Sequence, residues 1–280
     1  LQSKKIALVS SIQIYLAFIL SVIIILLMDD NKYYGQVLGT IIAMIILWQY
    51  IIRQILPYCK FGKIKKHIKY ILSYSIPYLP YTLSGIIIAQ LGRLIKSQYS
   101  GFEAAGKYSF AANIGMIMII VISVSHSAWN PYYFQYMNDK KYKNIDTVYT
   151  IIWGVTLLIG LILILFGNEI GHLLGKQEYY SSLYLIPFFT IGYMFYQWAY
   201  VYMRNTGYAK KVIWNAIAVV ISGVSNIFLS ITLVKYGDLG VALSFCLSYM
   251  ILLIISWAIN KFIIKLYAPR CNLFIVPFIY

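Results

Sequence analysis

Long apolar runs alternate with short polar segments along the whole chain. Eight of the runs are long enough to cross the hydrocarbon core of a membrane as helices, which takes about 20 mostly apolar residues. They cover residues 7–28, 33–57, 70–95, 108–130, 148–167, 182–203, 212–234 and 240–259, and a ninth begins near residue 272. The pattern predicts an all-α, polytopic membrane helix bundle with about eight transmembrane helices.

Composition and charge agree with a membrane protein. The chain is 61% hydrophobic and 11% charged, whereas soluble domains are about 45–50% apolar and about 25% charged. In a soluble protein the net charge of +15 would suggest nucleic acid as a partner. Here the basic residues flank the apolar runs and set topology, so we expect no nucleic-acid partner. Cys59, Cys246 and Cys271 form no metal-binding or disulfide pattern, and we expect no metal and no cofactor.

The basic residues also predict the sidedness of the chain. Seventeen of the 23 Lys and Arg residues fall in alternate connections that share one side, which the positive-inside rule places in the cytoplasm. These are Lys4, Lys5, Arg53, Lys60, Lys63, Lys65, Lys66, Lys69, Lys140, Lys141, Lys143, Arg204, Lys210, Lys211, Lys261, Lys265 and Arg270. The eight acids fall in connections or at the ends of runs, and no soluble-enzyme motif is present.

The third run combines two prolines with a small and polar helical face. Pro77 and Pro80 free backbone carbonyls that neighbouring groups or water must satisfy, as in the broken helices of transporters. We predict a hinge at these prolines, with a static kink as the alternative. The small and polar face is formed by Ser75, Tyr78, Thr82, Gly85, Ala89 and Gly92. Such a face indicates either close helix packing or the wall of a water-filled cavity.

Two charged or titratable residues within the runs are open to two interpretations each. Arg93 lies roughly 34 Å along its helix, at about 1.5 Å per residue. It either snorkels to the outer interface or binds an anionic substrate. His126, in the fourth run, has either a packing role or a role in a proton relay.

Three segments resemble a known family. The segment YSIPYLPYTLSGIIIAQLGRLIKSQYSGFEAAGKYSFAANIG (74–115) resembles the Wzx-type flippases of bacterial polysaccharide biosynthesis. SNIFLSITLVKYGDLGVALSF (225–245) is similar to a second block of that family, and AWNPYY (128–133) is a weaker match. The matching positions of the first segment are Pro77, Pro80, Leu83, Ser84, Arg93, Gly101, Glu103, Gly106, Tyr108 and Ser109. One position departs, because Gly92 stands where the family usually has aspartate.

The resemblance implies a MATE-like fold, in which two six-helix lobes surround a cavity that opens alternately to each side. The chain is then expected to be a fragment that contains the second lobe and the end of the first. The expected divisions are 1–57 for the last two helices of the first lobe, 58–69 for a basic cytoplasmic loop, 70–260 for the six-helix second lobe and 261–280 for the start of an extra helix.

The function that the resemblance implies is flipping of an undecaprenyl-pyrophosphate-linked oligosaccharide, the repeat unit of O-antigen or capsule, across the bacterial cytoplasmic membrane. Candidate substrate-binding residues are Arg93, Lys96, Gln90, Asn113 and Asn226. The expected partners are the lipid-linked oligosaccharide, the bilayer, and the polysaccharide polymerase with its chain-length machinery. The alternatives are a MATE-like drug or cation exporter, and a membrane polymerase or glycosyltransferase; we expect a transporter and not an enzyme.

Overall fold

The chain folds into α-helices that follow the apolar runs. In the computed structural model, residues 2–28, 32–56 and 64–269 are described. The helices are α1 (Gln2–Leu27), α2 (Tyr33–Ile55), α3 (Ile64–Gly115), α4 (Ile117–Asn138), α5 (Tyr142–Leu174), α6 (Ile186–Tyr208), α7 (Ile213–Leu233) and α8 (Gly237–Ile259). The described residues contain no β-strand, and the all-α prediction is confirmed.

Short helical segments of other types link the α-helices. The connection from α5 to α6, predicted to be a loop, contains the 3₁₀ helix Gln177–Leu185. A single 3₁₀ turn, Val234–Tyr236, joins α7 to α8. Helix α8 continues into one π-helical turn, Asn260–Ile264. The connections within the described part of the chain are therefore compact, as the short polar segments of the sequence predict.

Apolar helix surface identifies a multi-pass membrane protein. Four stretches are long and apolar enough to cross a bilayer: Tyr33–Arg53, Leu79–Asn138, Tyr142–Leu174 and Ile213–Ile264. Leu79–Asn138 contains part of α3 and all of α4, and Ile213–Ile264 contains all of α7 and α8. Many large apolar side chains are exposed, such as Leu165 and Phe228, as expected where lipid surrounds a protein. The number of crossings beyond these stretches stays a prediction.

The chain divides into two compact units, Leu1–Lys69 and Tyr70–Tyr280. In the first unit, α1 and α2 pack closely through small residues. A Cβ added at Gly39 would overlap the backbone of Ser21, and one added at Gly35 would collide with Ile25. The Ser21 hydroxyl donates to the carbonyl of Gln36 at 3.2 Å. Small residues and a hydroxyl at the contact are typical of helix pairs in membranes.

Helix α3 is interrupted at a glycine and not at the prolines. Gly101 has φ 84° and ψ 171°, a conformation that only glycine adopts without strain. The backbone at Pro77 and Pro80 keeps its helical conformation. The connection predicted between the third and fourth runs is therefore helical on both sides of a single interruption. The hinge at the two prolines stays a prediction.

Helix α6 occupies the centre of the second unit. It packs against α4, α5, α7 and α8, and most of its side chains are buried. An aromatic cluster joins it to α8: the ring centroids of Phe189 and Phe245 are 5.3 Å apart, and those of Phe245 and Tyr249 are 4.9 Å apart. Because Gly192 has no side chain, the ring of Phe245 can approach the α6 backbone. Helix α6 is therefore held in place by its neighbours on several sides.

Candidate functional site

A cavity of about 370 Å³ lies among the helices of the second unit. Helices α3, α4, α6, α7 and α8 all contribute to its wall. The lining residues are Tyr81, Thr82, Gly85, Ile86, Ile88, Ala89, Gln90, Met116, Ile119, Tyr193, Tyr196, Val219, Tyr249 and Leu252. The volume is many times the roughly 30 Å³ that one water occupies in the liquid, so the space has room for part of a molecule much larger than water.

The small and polar face of α3 forms one wall of this cavity. Thr82, Gly85 and Ala89 line it, whereas Leu79 and Leu83, on the opposite face, are 58% and 59% exposed. A Cβ added at Gly85 meets no neighbouring part of the chain within 4 Å, so the space in front of this residue is open. These three positions agree with the cavity-wall interpretation of the sequence pattern.

Close helix packing, the other interpretation of small residues on α3, is found at Ser84, the residue before Gly85. Ser84 is 8% exposed, and its Cβ lies 3.1 Å from the position that a Cβ on Gly223 of α7 would take. Small residues at this crossing let α3 and α7 approach closely. Neighbouring positions of α3 therefore serve packing and the cavity separately.

Four tyrosines line the cavity: Tyr81, Tyr193, Tyr196 and Tyr249. Tyr193 and Tyr196 of α6 face Tyr249 of α8, with ring centroids 5.9 Å and 5.4 Å from that of Tyr249. Tyr81 lines the cavity from α3. A phenol has an apolar face and a polar tip, which suits a ligand that alternates C–H surfaces with hydroxyl groups.

Of the predicted binding residues, Gln90 lines the cavity, and Arg93 and Asn113 lie behind its lining residue Met116. Arg93 Nη2 donates to Asn113 Oδ1 at 2.7 Å and lies 3.6 Å from the sulfur of Met116. Gln90, nearly one turn before Arg93 on α3, lines the cavity. Among the described residues, no carboxylate forms an ion pair with Arg93. The Arg93 Nε is buried without a hydrogen-bond partner, and the described residues supply no opposite charge to the guanidinium.

The departure at Gly92 from the family pattern has a packing reason. A Cβ added there would overlap the hydroxyl group of Tyr108, which lies beyond the Gly101 interruption and is 2% exposed. The phenol therefore occupies the space that a carboxylate side chain needs. Arg93 donates a hydrogen bond to the Asn113 amide oxygen and has no adjacent acid on α3 to pair with.

The remaining predicted residues lie in other environments. Lys96 is almost completely buried and forms an ion pair with Asp238 at the start of α8, and it also donates to Ser100 Oγ at 2.8 Å. Asn226 is 2% exposed and donates to Ser248 Oγ at 2.9 Å, which connects α7 to α8. Neither residue lines the cavity. Both positions favour structural roles.

Arg204 is a functional candidate that sequence analysis counted among the cations of a cytoplasmic connection, whereas the structure places it inside α6. The residue lies in the last turns of α6 and is only 5% exposed. Thr190 and Gln197 precede it at intervals of seven residues, and both are fully buried. Residues seven apart share one helix face, so this spacing was a detectable sign that a polar stripe points into the bundle.

Comparison with solved structures defines the fold. A crystal structure titled as MATE in the straight conformation matches this chain with a TM-score of 0.62 and 16% identity, over 92% of this chain and 62% of that one. A proline-to-alanine mutant of MATE matches with a TM-score of 0.62 and 16% identity, over 92% and 61%. This chain is therefore a multi-pass membrane protein with a MATE-like fold, and it spans about three fifths of the length of those chains.

The first half of the chain is similar to a known protein family. Residues 1–137, from α1 through nearly all of α4, match the family described as polysaccharide biosynthesis protein. No curated protein sequence matches this chain. The fold and the family similarity thus come from independent comparisons, and both agree with the resemblance found in the sequence.

Proposed function

We propose that this chain belongs to a transporter that flips an undecaprenyl-pyrophosphate-linked oligosaccharide from the cytoplasmic to the outer leaflet of the bacterial inner membrane. The family match over residues 1–137 carries the proposal, and the MATE-like fold supports it. We further propose that its product feeds O-antigen or capsule synthesis, that the basic connections face the cytoplasm, and that it works with the polymerase and chain-length machinery.

The cavity can shelter the polar part of a lipid-linked sugar while it crosses the membrane. The lipid tail of such a substrate can stay in the bilayer, while its sugar and pyrophosphate groups need shelter from hydrocarbon. In our proposal the tyrosine faces and Gln90 contact the sugar, and Arg93 contacts the pyrophosphate. Arginine suits that role because its planar fork of donors matches phosphate oxygens.

A MATE-like drug or cation exporter is the second candidate. Its support is that both solved structures are MATE proteins. Against it, no Asp or Glu is among the buried side chains of the described residues, whereas a site for cations in the membrane favours buried acids. The residues that line the cavity are all uncharged, and the charged residue next to it is the cation Arg93, which contacts the lining residue Met116. A membrane polymerase or glycosyltransferase, the third alternative, has no support from the fold.

Deletion of the full-length gene tests the proposal. We expect the deletion strain to lose surface polysaccharide and to accumulate lipid-linked repeat units on the cytoplasmic side, and we expect the wild-type gene to reverse both effects. Extraction and chromatography of the lipid-linked repeat units measure the accumulation. Normal polysaccharide together with altered drug resistance would contradict flipping and favour the exporter.

Replacement of Pro77 and Pro80 by alanine tests the predicted hinge. Alanine restores two backbone donors to α3 and removes proline's conformational restriction. We expect the double variant to reach the membrane in normal amounts but to restore less surface polysaccharide than wild type in the deletion strain. Immunoblots of membrane fractions provide the control for insertion. Unchanged polysaccharide would mean that the prolines have only a structural role.

A further inference from the structure

We propose that Arg204 forms a binding site for a phosphate-type anion in a second cavity of the bundle. This cavity has a volume of about 210 Å³ and is separate from the site around Arg93. It lies between α3, α4, α6 and the start of α7. Its ligand chemistry is that of a phosphate or pyrophosphate group; the further step, that this group belongs to the flipped lipid, rests on the proposed function.

Arg204 is a buried charge without a charged partner. Its Nη1 donates to the hydroxyl of Tyr149 at 2.9 Å, and its Nη2 is hydrogen-bonded to Nδ1 of His126. Among the described residues, no carboxylate comes within ion-pair distance of the guanidinium. The Nε of Arg204 is buried without a hydrogen-bond partner. Burial of a charge is costly unless an opposite charge compensates it.

The side chains around Arg204 either accept a hydrogen bond from its guanidinium or place an aromatic ring beside it. The guanidinium carbon lies 5.3 Å, 5.7 Å and 5.2 Å from the ring centroids of Tyr133, Tyr149 and Tyr200. Because an arginine can only donate, the Nδ1 of His126 is the acceptor, and the imidazole facing Arg204 is neutral. The site therefore keeps one net positive charge, which an anion can pair with.

The second cavity brings further polar groups next to this charge. Arg204 lines it together with Tyr81, Asn130, Phe134, Tyr200, Met203, Gly207, Val212 and Asn215. None of these residues is acidic, so nothing in the wall repels an anion. The amide of Asn130 can donate a hydrogen bond to a ligand oxygen. The volume is about seven times the roughly 30 Å³ of one water, which leaves room for a phosphate or pyrophosphate group.

Two features connect this cavity with the larger one. Tyr81 of α3 lines both cavities. On α6, Tyr196 lines the larger cavity and Tyr200 the smaller one, and their ring centroids are 6.1 Å apart. Tyr81 and Arg93 lie roughly 18 Å apart along α3, at about 1.5 Å per residue. A group bound at Arg204 is thus placed on the far side of Tyr81 from the Arg93 site.

Gly207 provides a way to close this cavity without removing Arg204. It lies three residues after Arg204, and apart from its own helix nothing comes within 4 Å of a Cβ added there. Alanine is therefore tolerated at this position, and leucine places three further carbons in the cavity. Both residues have higher helix propensity than glycine.

Pyrophosphate binding to the purified full chain in detergent tests the site. We expect inorganic pyrophosphate to bind wild type in calorimetric titrations at constant ionic strength, and to bind Arg204→Gln and Gly207→Leu at least tenfold more weakly. Lys141→Gln should keep wild-type affinity, since Lys141 is an exposed cation in the turn after α4. Gly207→Ala is the size-matched comparison and should weaken binding clearly less than Gly207→Leu. If Arg204→Gln fails to fold, the comparison of Gly207→Leu with Gly207→Ala decides. Absence of binding to wild type, or equal binding to all variants, would overturn the proposal.

A second measurement identifies the source of the anion. Wild type and Arg204→Gln are placed in nanodiscs with a polyprenyl-pyrophosphate lipid, or with phosphatidylglycerol as the anionic-lipid control. Competition between the pyrophosphate lipid and inorganic pyrophosphate, present in wild type and lost in Arg204→Gln, indicates a lipid headgroup. Binding of inorganic pyrophosphate without such competition indicates a free anion and leaves the site intact. Because the assay involves no transport, it can succeed even if the flipping proposal fails.

Discussion

Replacement of Gly85 by tryptophan is expected to abolish transport while the protein still inserts and folds. Gly85 faces the larger cavity, and a side chain added there first meets open space. An indole at this position occupies much of the roughly 370 Å³ that the cavity offers. We expect at least about tenfold less surface polysaccharide than with wild type in the deletion strain, which needs only about 1.4 kcal/mol of added steric cost.

Matched variants separate blockage of the cavity from damage to α3. Gly85→Ala adds one methyl group in open space and should keep wild-type activity. Leu83→Trp places the same indole on the opposite face of α3, where Leu83 is 59% exposed, and should also keep activity. Membrane levels of all variants are compared by immunoblot. Equal activity of Gly85→Trp and Leu83→Trp would mean that the substrate does not pass through this cavity.

The inward-facing side of α3 could be predicted because it follows from one helix alone, whereas the choice between close packing and a cavity wall could not. The period of small and polar residues on α3 places Thr82, Gly85 and Ala89 on one face, and a helix in lipid turns such a face inward. The helices themselves follow from apolar runs, since a membrane span must satisfy its own backbone hydrogen bonds. These parts of the fold depend only on local sequence.

The partners of buried polar residues could not be predicted in the same way. Asn226 needs a partner in hydrocarbon, but the sequence does not show whether that partner is a ligand or, as the structure has it, Ser248 of α8. Arg204 lies near the end of an apolar run, where the positive-inside rule treats every cation as part of a connection. Its burial depends on tyrosines from α4 and α5, which come together only in three dimensions.

The sequence also does not show which of its many tyrosines line the cavity. Twenty-eight tyrosines are typical of a biased composition, and nothing in the sequence separates the lining residues from the others. The structure separates them by helix face: Tyr193 and Tyr196 on α6 meet Tyr249 on α8. Packing of α6 against α8 therefore decides which phenols can contact a ligand.

Loss of the buried ion pair between Lys96 and Asp238 is expected to cause the largest loss of stability. Lys96 has 4% of its side chain exposed and Asp238 has 27%, so either charge left alone is poorly solvated. Removing one partner of a buried pair costs about 3–5 kcal/mol. We expect Lys96→Met or Asp238→Asn to lower the melting temperature of the detergent-purified protein by roughly 6–20 °C, since about 1 kcal/mol shifts it by about 2–4 °C in a chain of this size.

The double variant Lys96→Met with Asp238→Asn separates a structural role from a substrate-binding role for Lys96. Removing both charges is often nearly neutral for stability, so the double variant should recover most of the lost melting temperature. As a control, neutralising the surface pair of Glu103 and Lys107 should leave the melting temperature almost unchanged, since water already solvates both charges. If the pair is structural, transport recovers with stability in the double variant. A stable double variant without transport would show instead that Lys96 contacts the substrate, as its sequence position predicts.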